Sequence, residues 1–324
     1  MILAAPFPYF GGKRRAAALI WRALGDPAGY VEPFAGSAAV LLARTLTGRR
    51  VETLNDADGW LVNAWRAIRL SPNAVAEHAY GPVTEIDYHA RLAWLQERRD
   101  AELVAWLEGD PEAHDAKAAG WWLYVLACGI GDPFGPGPWR VVDGKLRDTR
   151  KVDGNAGQGV NRELPLLGTA GPGVTRGLPH LGNAGQGLVA YMRRLSERLA
   201  RVRITCGDWM RVTTPSVLRP GCGGDGSRAV FLDPPYATSG DLYAHREDVS
   251  EAVREWCAAA PADLRIVLCG YDGEHDALGW RRIEGRSGGG AGYSTRADNG
   301  RRERLWLSPG CLGAGEQASL LEAA

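Results

Sequence analysis

Apolar and polar positions alternate over the first 75 residues in a way that predicts strands and helices in turn. Ala16 to Leu24 reads as a helix. Tyr30-Val31-Glu32 reads as a short strand running into the turn PFAGS, and Ala38 to Thr45 as a helix with Ser37 near its start. Val51 to Leu54 is a second strand ending at Asn55-Asp56, and Leu61 to Leu70 an amphipathic helix. From 76 to 130 the pattern is helical and rich in tryptophan and leucine. Within it, Gly120 to Cys128 (GWWLYVLAC) is apolar almost all round and predicts a buried helix, broken by GIGDPFGPGPW. Helix returns over Leu188 to Arg201. Strand-like segments follow at Val202–Thr205, Ala229–Leu232, Arg265–Cys269 and Arg304–Leu307, and the small, polar tail after Pro309 is expected to fray.

Residues 154 to 195 interrupt this pattern with a repeat of period 14: GNAGQGVNRELPLL, GTAGPGVTRGLPHL, then GNAGQGLVAYMRRL. The period is shorter than solenoid units, and so few copies build no core of their own. Extended loops or hairpins on a scaffold are expected, with glycine-rich backbone and the spaced Arg162 and Arg176 suited to close approach to phosphates. With α/β material at both ends, the expected architecture is one doubly wound sheet interrupted by an inserted helical and loop module. The boundaries are 1–75 and 200–312 for the discontinuous sheet domain, 76–199 for the insert and 313–324 for a flexible tail.

Composition changes this picture little. Of 324 residues, 45% are hydrophobic and 23% charged, which supplies a sizeable core. Lys+Arg and Asp+Glu balance at 38 each, so net charge gives no support to a nucleic-acid partner. Basic residues do pair locally, as in Lys13-Arg14-Arg15, Arg193-Arg194 and Arg281-Arg282. Only four are lysine, so Lys13 inside a motif stands out. The six cysteines form no CxxC pair and no His/Cys spacing suits zinc; the six histidines form no HExxH, and His275 is expected on a surface loop. The N-terminus does not read as a signal peptide and no run of 18 apolar residues exists, so neither membrane nor metal is expected.

The chemistry-bearing motif is Asp233-Pro234-Pro235-Tyr236, placed directly after the apolar strand AVFL, where open α/β sheets bind ligands. An exocyclic amine on a nucleobase is a poor nucleophile because its lone pair is delocalised into the ring. A carboxylate and a backbone carbonyl in this turn can accept its two N–H bonds as the nitrogen becomes positive, and prolines add no competing donor. Tyr236 offers a flat face for an extruded base. The turn Pro33-Phe34-Ala35-Gly36-Ser37 lets backbone approach a cofactor; it matches neither GxGxxG nor a P-loop, which counts against NAD and ATP. Asp56 can bind ribose hydroxyls, and Asp208-Trp209 can hold an adenine ring; each alone would read as a turn or cap. Pro8-Tyr9-Phe10-Gly11-Gly12-Lys13 leaves the backbone open beside a rare lysine.

In this order the motifs resemble the Dam-like DNA adenine methylase family, the alpha-type amino-methyltransferases, in a phage-type form. The resemblance covers residues 6 to 75 and 202 to 240, with RRERLWLSP in support. It implies a Rossmann-like sheet that binds S-adenosylmethionine and methylates adenine N6 in double-stranded DNA by base flipping, with 76–199 as target-recognition module. It implies Tyr9 and Lys13 by cofactor and active site, Pro33 to Ser37 around the methionine moiety, Asp56 on the ribose, Asp208 and Trp209 on the cofactor adenine, and Asp233 to Tyr236 on the target base. Arg162, Arg176, Arg193 and Arg194 are the candidate phosphate contacts. The setting implied is the cytoplasm of a bacterial or phage-infected cell, with restriction-modification one context. Cytosine N4, RNA, or a DNA-binding protein without activity are the alternatives. The family's second loop glycine is Ala38 here.

Overall fold

The structure, a computed structural model, describes residues 3–7, 13–45, 48, 50–98, 101–110, 112–129, 134, 139–142, 145–148, 184–219, 224–234, 246–284 and 303–313. In chain order the elements are α1 (Ala17–Leu24), β1 (Gly29–Glu32), α2 (Ala39–Ala43), β2 (Val51–Asp56), α3 (Gly59–Leu70), α4 (Pro72–Ala79), α5 (Glu85–Glu97), α6 (Ala101–Gly109), α7 (Ala116–Cys128), β3 (Trp139–Val142), β4 (Lys145–Asp148), α8 (Ala184–Leu199), β5 (Val202–Cys206), β6 (Arg228–Leu232), α9 (Arg246–Ala259), β7 (Arg265–Tyr271), β8 (Arg281–Glu284) and β9 (Glu303–Leu307).

The chain divides into two compact units. The first, spanning 1–5, 10–58 and 201–324, holds a seven-stranded sheet in the order β5-β2-β1-β6-β7-β9-β8. All pairs from β5 to β7 are parallel; β9 runs antiparallel between β7 and β8. Strand order therefore reverses between β1 and β6, the switch point at which open sheets form a crevice. The central strands β6 and β7 are buried along nearly their whole length, as parallel strands covered on both faces must be. Val31, Val230, Leu232, Ile266, Leu268 and Trp306 pack with Val253 and Cys257 of α9 and with Trp209. The edge strand β8, RRIE, is largely exposed, and its charges discourage pairing with another chain. At the amino ends of the strands, buried Arg44 reaches Glu52 (3.2 Å), Asp26 (2.9 Å) and the Pro27 carbonyl (2.5 Å), and Arg50 also pairs with Asp26.

The second unit, spanning 6–9 and 59–200, contains α3 to α8 and the hairpin β3–β4. As expected, α7 is buried nearly all round. Gly120 is required there by close approach: a Cβ would lie 2.4 Å from His78 Cβ and 2.7 Å from the Val75 carbonyl of α4. Phe7 packs against Trp65 and Trp122. Asn63, fully buried, exchanges two hydrogen bonds with the Asp115 backbone, and Asp115 in turn caps α7 through the Ala118 N–H.

Several sequence expectations shift. β2 runs to Asp56, including Asn55 and Asp56, at which its end was expected, and α2 is shorter than expected. α9, β8 and the hairpin β3–β4 had not been expected as elements. His275 is no surface residue: it is fully buried, edge-on to the Trp306 ring at 5.0 Å and tight against Gly270. The chain past Pro309 stays docked as far as Leu312, whose N–H donates to the Ala23 carbonyl (2.9 Å). Of the repeat at 154–195, residues 154–183 lie outside the described residues, as does the tail from 314, and the end of its third copy belongs to α8.

Candidate functional site

In the first unit, the loops leaving β1, β2, β5 and β6 all emerge at the carboxyl end of the sheet, and most of the sequence-predicted site residues lie on them. Pro33 to Ser37 follows β1. Its backbone turns sharply: Gly36 has φ +46°, and Ala38, at the start of α2, has φ +49°. Ala38 is the single non-glycine residue in the left-handed region among those described. The glycine usual at this place in the resembled family thus has a physical reason, since a Cβ is disfavoured there.

Asp56 ends β2 and fastens this loop. Its Oδ2 accepts the Gly36 N–H (2.9 Å) and its Oδ1 the Asp58 N–H (3.0 Å). Burial pushes its carboxyl up to about 6, with those N–H groups opposing the shift. Asn55, which had no separate role in the sequence reading, is the knot between three loops. Its Nδ2 donates to the carbonyls of Pro33 (3.0 Å) and Gly207 (2.9 Å), and its Oδ1 accepts the Thr205 hydroxyl (2.9 Å). All polar atoms of a buried amide are thereby engaged, which fixes the β1, β2 and β5 loops in one arrangement.

After β5, Asp208 is exposed and caps a 3-10 turn by accepting the Met210 N–H (2.8 Å). Trp209 is buried in the sheet core, with Phe34 tilted against it at 6.0 Å and Trp256 edge-on at 6.1 Å. Its ring supports the site from beneath, and exposed Met210 is the apolar side chain beside Asp208 at the surface.

Asp233 is the first residue after β6. Lys13 Nζ lies 2.8 Å from its Oδ2 and 2.7 Å from Glu303 Oε1 at the start of β9. Lys13 is 3% and Glu303 5% exposed, whereas Asp233 is 20% exposed, so Asp233 is the member of this triad that reaches the surface. Lys13 is therefore a buried ion-pair residue rather than a solvated or phosphate-contacting one. Burial alone would lower its pKa; the carboxylates of Asp233 and Glu303 outweigh this and hold it well above the ordinary lysine value. Cys269, on β7, is buried, and burial with Asp233 beside it pushes the thiol up, leaving it a protonated donor to that carboxylate. Glu32, at the end of β1, is also buried; its Oε2 accepts the Leu41 N–H (3.2 Å), and burial pushes its carboxyl up to about 8.

Tyr9, Pro235, Tyr236, Arg162 and Arg176 lie outside the described residues. Arg193 and Arg194 belong to the second unit, exposed on α8; Arg193 donates to Asn73 (2.8 Å) and Arg194 covers the Tyr191 ring. Arg282 and Arg304 are engaged with Asp272, and Arg282 also with Asp276. An open groove lined by Arg50, Val51, Glu52, Arg201 and Arg203 lies at the opposite, amino end of the strands, and none of the predicted site residues lines it. Among the described residues no helix is long and apolar enough to cross a membrane, and no group of His, Cys, Asp and Glu side chains could hold a metal. No protein-family description matches the sequence, and no curated protein matches it.

Proposed function

We propose that this protein is an S-adenosylmethionine-dependent methyltransferase acting on the exocyclic amine of adenine in double-stranded DNA. The observation that carries the reading is the convergence at the sheet's switch point. There the Asp233-Pro234 turn, the Pro33–Ser37 loop and Asp56 leave adjacent strand ends, with one ammonium, Lys13, set between two carboxylates.

The residues fit such a cofactor by charge. The triad of Lys13, Asp233 and Glu303 carries one excess negative charge, and Asp56 and Asp208 add acceptors on the neighbouring loops. That environment favours a sulfonium cation and disfavours the phosphates of a dinucleotide or nucleoside triphosphate. When bound, S-adenosylmethionine would supply an electrophilic methyl group. Asp56 and Asp208 would hold its ribose and adenine, with Met210 against the ring, and the Pro33–Ser37 loop would enclose the amino-acid part. Asp233 would accept one N–H of the target amine and the Pro234 carbonyl the other, keeping the nitrogen lone pair directed at the methyl carbon and stabilising its growing positive charge. Pro235 and Tyr236 continue the motif and would cover the extruded base. Arg193 and Arg194 would meet the phosphate backbone, together with Arg162 and Arg176 of the repeat.

The test is transfer of labelled methyl groups from the cofactor to unmethylated duplex DNA, followed by digestion and identification of the modified nucleoside. N6-methyladenine is expected, with Asp233→Ala slower by at least roughly 100-fold. N4-methylcytosine would replace the proposed substrate, label in RNA alone would replace the polymer, and an active Asp233→Ala would sink the mechanism.

A further inference from the structure

We propose that Glu303, on the antiparallel strand β9, is a positioning residue that acts through Lys13 to hold the Asp233 carboxylate in place at the end of β6. This rests on the methyltransferase reading for its catalytic meaning, but not for its geometry. The three residues come from separate parts of the chain: the segment before α1, the end of β6 and the first residue of β9. They meet because β9 runs antiparallel to β7, pairing Glu303 with Tyr271 and so bringing the start of β9 to the carboxyl end of the parallel strands. The ammonium is nearly equidistant from its two partners, at 2.8 and 2.7 Å, and both it and Glu303 are buried. A buried ammonium needs several acceptors to replace water. With Asp233 as its sole carboxylate, Lys13 would neutralise that charge and draw in over it. With Glu303 as second anchor, the ammonium is fixed in direction, Asp233 inherits that direction, and the cluster keeps its excess negative charge. Among the described residues, Cys269 of β7 also faces both Lys13 and Asp233, and Glu32 of β1 faces Asp233.

The test uses the full chain and Glu303→Gln, with Glu303→Asp as the conservative partner. The four lysines of the sequence make the side-chain ammonium groups separable by 15N NMR, with Lys13 assigned from its loss in Lys13→Arg. In the native protein the Lys13 ammonium protons should exchange slowly at neutral pH. In Glu303→Gln their exchange should quicken at least about tenfold, because losing a buried ionic anchor shifts the open population by more than that. kcat for methyl transfer should fall roughly 10- to 100-fold, as expected for a displaced reacting group, with KM for DNA little changed. Glu303→Asp should restore part of both. Unchanged Lys13 exchange in both variants, or full kcat in Glu303→Gln, overturns the proposal. Quickened exchange in a protein whose native form methylates no nucleic acid would uphold the triad and reject the methyltransferase reading.

Discussion

Replacing Glu32 by Gln should make the protein more stable, and increasingly so as pH rises. Glu32 sits at the end of β1 with about 1% of its surface exposed. Burial, with Asp233 and Glu52 nearby, pushes its carboxyl from the usual 4.5 to about 8, against the Leu41 N–H that favours the anion. A carboxyl whose folded pKa is raised binds its proton more tightly in the native state. Its contribution is complete below about 4.5 and is lost progressively as pH climbs to 8. Each unit is worth about 1.4 kcal/mol, so between pH 5 and pH 8 the native protein should lose up to about 4 kcal/mol through this group. The amide introduced by Glu32→Gln carries no charge and still offers an oxygen to the Leu41 N–H. The two proteins should therefore match near pH 5 and separate by several kcal/mol at pH 8. Urea unfolding followed by the fluorescence of the 12 tryptophans, at half-unit pH intervals, gives that difference directly. The titrations of Asp56 and His275 are common to both proteins and cancel in it. Parallel stability curves from pH 5 to 8 would mean that Glu32 ionises normally in the folded protein, and would refute the account.

Two further substitutions probe the frame of the site. At Ala38, with φ +49° and no exposed surface, Gly should fall within about 1 kcal/mol of the native protein, since relief of left-handed strain offsets the lost methyl and the added chain entropy. Val there should cost at least about 2 kcal/mol, and equal losses for Gly and Val in thermal unfolding would refute the backbone argument. Arg44→Ala should cost roughly 3–5 kcal/mol because it breaks the buried ion pair with Glu52. Adding Glu52→Gln should recover part of this; on the proposed function, methyl transfer per folded molecule should stay unchanged because the pair lies at the amino ends of the strands, and a double variant no better than the single one would contradict the charge explanation.

Much of the site was legible because its residues sit where a strand stops, and strand ends are visible as the last apolar residue before a glycine, proline or acid. The runs YVE-PF, TLND, ITCGD and VFLDPP each carried that signal and each proved to be the carboxyl end of a parallel strand. What escaped was set by tertiary contact. β8 is polar on nearly every residue because it is an edge, so it has no alternation to read. α9 had a readable stripe, Val249, Val253, Trp256 and Cys257, diluted by charge between. His275 looked solvated among Asp272, Glu274 and Asp276, and nothing local announces that Trp306 and Gly270 enclose it. Trp209 was read as a ligand face, yet the neighbours that make it core, Phe34 and Trp256, lie far away in sequence.

The same distinction governs the charges. Each carboxylate at the strand ends reads alike in sequence, but burial separates them. Glu32, raised to about 8, is mainly protonated at neutral pH, and Asp56, raised only to about 6, is mainly ionised. Glu32 therefore adds little negative charge beside Asp233, although Asp233 is close enough to help raise it. Lys13, despite complete burial, keeps its proton because it faces both Asp233 and Glu303. Of the two carboxylates paired with Lys13, Asp233 is the one that reaches the surface. On the proposed function, a neutral amine that turns cationic on reaction would meet negative charge at Asp233, the carboxylate of the triad that reaches the surface.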